Sequence, residues 1–254
     1  MSTERIENGK YADRIAGYHI AFGVSGEAIL WGRASEHYGD YGIGNKKAFF
    51  DWGLKKYNSI EALKKAWQQP DLTRENVILP SPDERYNQKA DVKSFFRGNE
   101  CQIISRDFDE FTSETTAYAI ELFGKTIRDI APKKLIGAFY AYFIHTDNPQ
   151  YAGHLALEKL LDSPYVDFFA APKPYYRCMS GEPGGFMAPA QSINRKKLWV
   201  DEMDGRTHLA KNVEAGWEST GMSATRSVLW RELSKNLSCN SGFWWMDLGG
   251  GWYD

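Results

Sequence analysis

Apolar residues in this chain gather into short continuous runs, separated by stretches in which they recur every three or four positions. The runs are "IAGYHIAF" (15–22), "KLIGAFYAYF" (134–143), "YVDFFAAP" (165–172), "KLWVDE" (197–202) and "GFWWMDL" (242–248). Rich in β-branched and aromatic residues, they predict strands. The helical spacing predicts helices over 45–67, 106–130, 149–164 and 222–237. Ser59 is placed to cap "IEALKKAW", Pro149 to start the third helix, and Pro132 follows the end of the second. Between about 69 and 104 lies a polar connection with Pro70, Pro80 and Pro82, which reads as a functional loop or an excursion.

Strands that alternate with helices, and are apolar throughout, predict parallel strands buried on both faces. An open doubly wound sheet and a closed (β/α)8 barrel both fit. No G-x-G-x-x-G follows a strand. Strand ends instead carry polar or aromatic residues (Glu27, His145, Lys173, Tyr175, Glu202, Asp247), as barrel enzymes do. About five strands are visible, where a closed barrel needs about eight.

Composition narrows the chemistry. Nine Trp and 15% aromatics imply a large core or a stacking site, and a net charge of −2 gives no reason to expect nucleic acid or a membrane as partner. Cys101, Cys178 and Cys239 are too scattered for a disulfide framework or a zinc knuckle. No apolar stretch is long enough to cross a bilayer, and the N-terminus lacks a signal-peptide core. If Met1 is the true start, the expected location is the cytoplasm.

Two acids are candidate catalysts. Glu27, in "GVSGEAILWG", has apolar neighbours; these would disfavour its charged form and suit a general acid. Glu202 stands among Asp201, Asp204 and Arg206 in "DEMDGRTH", where a donor such as Arg206 would favour the carboxylate of a nucleophile. Such a pair is the equipment of a glycoside hydrolase. A solvated loop role for Glu27 is the plain alternative. A metal-dependent hydrolase would instead use Asp201, Glu202, Asp204 and His208 as ligands, but no HxH or HExxH spacing supports it. Among the aromatics, Trp31, Tyr176 and Trp252 sit at strand ends where a sugar ring could stack, although many of the rest must be core.

These segments resemble the catalytic barrel of clan A glycoside hydrolases, most closely the family 42 β-galactosidase-like group. "GYHIAFGVSGE" looks like barrel strand four, which ends in the acid/base glutamate. "FFDWGLKKYNSIEALKKAW" is similar to the family's helical stretch after it. "SPYVDFFAAPKPYYRC", "KLWVDEMDGRTH" and "GFWWMDLGGGWYD" look like strands six, seven and eight. The resemblance implies a TIM-barrel domain over 1–254 holding about five of the eight β/α units, strands four to eight. It implies a retaining β-galactosidase-like enzyme without cofactor or metal, Glu202 being the nucleophile and Glu27 the acid/base, with carboxyls about 5–5.5 Å apart. Asp204, Arg206, His208, Tyr140, Tyr142, Tyr176, Trp31, Trp244 and Asp247 would contact the carbohydrate or orient the nucleophile. Gly26 stands where the clan usually has Asn, family zinc cysteines have no counterpart, and strands one to three are missing. The chain would then be a fragment that depends on a missing N-terminal barrel half or on self-association. A non-catalytic carbohydrate-binding relic is the alternative.

Overall fold

The computed structural model describes residues 2–29, 39–85, 103–142, 152–172, 180–181, 196–210, 221–247 and 251–253. They form two compact units: 1–21, 119–147 and 157–254 in the first, 22–118 and 148–156 in the second. No helix among the described residues is long and apolar enough to cross a membrane.

The first unit is built on a parallel sheet of β1 (Gly17–Ile20), β2 (Leu135–Phe139), β3 (Phe168–Pro172), β4 (Leu198–Met203) and β5 (Gly242–Trp245), in that spatial order. Each apolar run thus forms a strand, paired with its sequence neighbours. Residues in register point to the same side of a sheet, so the pairings divide the side chains into two sets. One face carries Ile136, Ala138, Phe169, Trp199, Ala171 and Asp201, none of them measurably exposed. A helix over Met222–Ser238 lies on this covered face: its Asn236 amide donates to Asp201 Oδ2 at 3.3 Å. The other face carries His19, Leu135, Phe139, Phe168, Leu198, Val200, Glu202 and Trp244. Here Leu135 is 47% exposed and Leu198 44%, and Phe139, Phe168 and Trp244 are only half-buried. The expectation of burial on both faces therefore holds for the middle strands of one face, while at its edge Trp245 is 39% exposed.

Close packing between strands depends on Gly137. A methyl group there would come within 2.2 Å of the Phe168 ring. A salt bridge ties the start of β3 to the helix that precedes β2, whose Arg128 meets Asp167 at 2.6 Å. Asp167 also accepts the Ile136 amide hydrogen at 2.8 Å.

The second unit explains the break within the helical stretch 45–67. In chain order, α1 is Ser2–Glu7, α2 is Ile43–Tyr57 and α3 is Ile60–Trp67. Asn58, at φ +61°, ends α2, and Ser59 Oγ then accepts the Ala62 amide hydrogen at 3.1 Å, the cap expected from sequence. α4 is Pro82–Arg85 and α5 is Ile103–Ile130. Leu72, Val77 and Leu79 pack into one core with Phe49, Leu63, Trp67 and Phe108. The first half of the expected 69–104 excursion is therefore built into this unit, and 86–102 lie outside the described residues. Buried Asp107 accepts hydrogen bonds from Tyr57 (2.7 Å), Trp67 (2.9 Å) and Lys56 (3.1 Å). Burial pushes its carboxyl up, but these donors outweigh it and hold the pKa below the usual value.

Of the expected helix 149–164, only α6 (Leu157–Asp162) is helical among the described residues. Gly153, at φ +78°, is incompatible with a helix running through from Pro149. The helix over Met222–Ser238 is α7.

Candidate functional site

Because all strands are parallel, their C-terminal ends share one edge of the sheet. Glu202 lies at that edge, one residue from the end of β4. Alternation along the strand separates the acids of "DEMD". Asp201 points to the covered face and Glu202 to the open one, in register with Pro172 and Trp244. Glu202 is only 3% exposed. A carboxylate buried at a strand tip, on the face opposite α7, suits chemistry better than structural support.

The remaining acid and its neighbours form a brace. Asp204 pairs with Arg206 at 2.6 Å, and the guanidinium lies 4.2 Å from the centre of the Trp252 ring. Tyr253 donates its hydroxyl hydrogen to the Gly205 carbonyl (2.9 Å) and the Met203 carbonyl (3.1 Å). Burial, then the nearby Asp204 and Asp247 charges, push this phenol above its ordinary pKa and keep it a donor. Thr207 Oγ1 donates to the Trp252 carbonyl, and Asp247 accepts the Trp252 amide hydrogen at 3.3 Å. The expected partnership of Arg206 with the nucleophile is thus partly redirected: Nη1 is engaged by Asp204. His208 is tied to α7, with Nδ1 2.9 Å from Thr225 Oγ1. Asp201 and His208 are thus engaged by α7, and Asp204 by Arg206.

Tyr140 and Tyr142 separate in the same way. Tyr140 is fully buried against Phe169 of the covered face, 6.3 Å between ring centres. Tyr142 is also fully buried, but lies against Phe139 of the open face at 6.3 Å. Between them Ala141 adopts φ +73°, which breaks the alternation. Trp244 stands on the open face with its ring 6.0 Å from Phe139. Trp31 and Tyr176 lie outside the described residues.

Sequence reasoning passed over His19, Phe139 and Phe168. His19 faces the open side, 4.5 Å from the Phe139 ring and 5.7 Å from Phe168. Solvent reaches the imidazole, yet crowding by protein pulls its pKa below the ordinary value, against a smaller opposing effect of the Ile20 backbone. The ring is therefore neutral near pH 7. Parity was the available signal: His19 and Phe139 lie on the open face once the strand register is known.

Glu27 belongs to the second unit and is half-buried. It sits in a tight loop in which its amide donates to the Val24 carbonyl (3.0 Å) and the Ala28 amide to the Phe22 carbonyl (2.8 Å). His154 Nε2 lies 3.2 Å from the Ala28 carbonyl oxygen. Gly26, where the resembled clan has Asn, adopts φ +78°. Glycine meets this demand at no steric cost, so the departure has a backbone reason.

No protein-family model matches the chain, and no curated protein sequence matches it. Among solved structures, the catalytic domain of beta-amylase from Paenibacillus polymyxa is similar, with a TM-score of 0.61 at 16% identity over 96% of this chain. The chain spans 59% of that domain's length. At this identity the likeness is one of fold. The chain is an α/β protein with a parallel sheet, similar in fold to a TIM-barrel catalytic domain.

Proposed function

We propose that the chain carries the site of a retaining glycoside hydrolase for β-linked sugars, galactosides first. Glu202 attacks the anomeric carbon and forms a covalent glycosyl-enzyme. Glu27 protonates the departing oxygen, then takes a proton from the water that releases the sugar. The observation that carries the reading is the position of Glu202: buried, at the C-terminal edge of a parallel sheet, beside Trp244 on the open face. The barrel-enzyme rule that active sites gather at this edge supports it. Trp244 offers a flat apolar surface to a sugar's C–H face. The role of Glu27 rests on its place in "GVSGE", in the segment that follows β1.

The test is Glu202→Gly. Removing the carboxylate should abolish hydrolysis of an activated aryl β-galactoside, and azide should restore turnover with formation of the glycosyl azide. Active wild type without azide rescue removes Glu202 from the nucleophile role. A second reading, a carbohydrate-binding relic without turnover, is favoured by Gly26 in place of the clan's Asn. It predicts wild-type sugar binding with no release of the aryl group.

A further inference from the structure

The open face is mostly hydrocarbon. Apart from the Trp244 indole, His19 and Glu202 are its hydrogen-bonding side chains among the register-paired residues. Packing alone does not call for an imidazole there, since Leu135 and Leu198 occupy the same face without one.

The two polar groups are linked by a climbing row of rings. His19 is in register with Gly137 but touches Phe139, two residues further on. Phe139 aligns with Ala170, Val200 and Gly242 but touches Trp244, again two residues further on. Trp244 is the register partner of Glu202. The row thus rises across the sheet and ends beside the carboxylate. Below it the face is lined by small residues, Ala170, Val200 and Gly242, which leave it shallow. A neutral imidazole presents one ring nitrogen as an acceptor for a hydroxyl.

From this placement we infer that His19, flanked by Phe139 and Phe168, is a sugar-binding residue: the rings take the C–H face of the sugar held at Glu202, and His19 accepts a hydrogen bond from one of its hydroxyls. The inference rests on the function proposed above and adds a binding residue to the same site.

The test is titration of the full chain with methyl β-galactoside, followed by tryptophan fluorescence. His19→Ala should weaken binding about tenfold, the scale of one buried hydrogen bond, with an unchanged thermal melt. His19→Gln, which keeps an acceptor, should recover part of the loss. In wild-type protein, the side-chain ¹⁵N signal of His19 should shift on addition of the sugar, a readout that needs no variant. Binding that leaves this signal unmoved, or is equal in wild type and His19→Ala, overturns the inference while the hydrolase reading stands. If wild type neither binds the sugar nor hydrolyses the aryl galactoside, both fall together.

Discussion

The two faces of the sheet are built from the same strands yet do opposite work. On the covered face, Trp199, Phe169 and Ile136 lie fully buried, and the one acid, Asp201, is held by Asn236. On the open face, Leu135 and Leu198 remain nearly half exposed, and the acid at the next position, Glu202, faces the aromatic row. One residue of register separates a structural carboxylate from a candidate catalytic one. Hydrophobicity is similar on both sides, so what divides them is which side α7 covers.

This contrast can be broken by substitution. The largest effect expected is on rate: Glu202→Gln should lower kcat for an aryl β-galactoside by at least about 10³-fold, as loss of a nucleophile does, with little change in the melt. Trp199→Ala should cost roughly 3–5 kcal/mol in urea unfolding, the range for deleting a large buried side chain. Asp201→Ala removes one of the two acceptors of the Asn236 amide, the Glu232 carbonyl being the other, and should cost about 1–3 kcal/mol, while Michaelis parameters per folded molecule stay near wild type. Leu198→Ser, on the open face, should change stability by less than about 1 kcal/mol, since its side chain gains little from burial, and should reduce binding of a hydrophobic dye.

A pH effect is the smallest. His19 has a folded-state pKa below its ordinary 6.5, because the protein crowding its partly exposed ring disfavours the charged form. The folded state therefore binds fewer protons than the unfolded one. The His19 contribution is complete above pH 6.5 and declines as the pH falls below that value towards the folded pKa. His19→Gln should flatten this part of the stability profile, measured as the wild-type-minus-variant difference in urea midpoints. A difference that grows with acidification in the opposite sense would contradict the lowered pKa.

Much of the sheet was legible in the sequence, because continuous apolar runs such as "KLIGAF" have few alternatives in an α/β chain. The Ser59 cap was legible for the same local reason. The open face was not, since an apolar strand reads alike whether helices cover one side or both. The packing of Leu72, Val77 and Leu79 was hidden by the prolines and polar residues around them, which hold no regular period. At the site, the cluster of acids drew notice to Glu202, but alternation assigned Asp201 to the core, and the ion pair with Arg206 draws Asp204, beyond the strand, into the Arg206–Trp252 brace. His19 was missed because a single histidine in an apolar strand looks like core. Tyr140 follows the alternation of β2 onto the covered face, whereas Ala141, at positive φ, brings Tyr142 against Phe139 of the open face.

The most direct measurement is to trap the glycosyl-enzyme. A 2-fluoro-β-galactoside with a good leaving group should label the protein once, and peptide mass analysis should place the sugar on Glu202. Turnover with the label on another residue, or turnover to the inverted anomer with no label, would contradict the assignment of Glu202 as nucleophile.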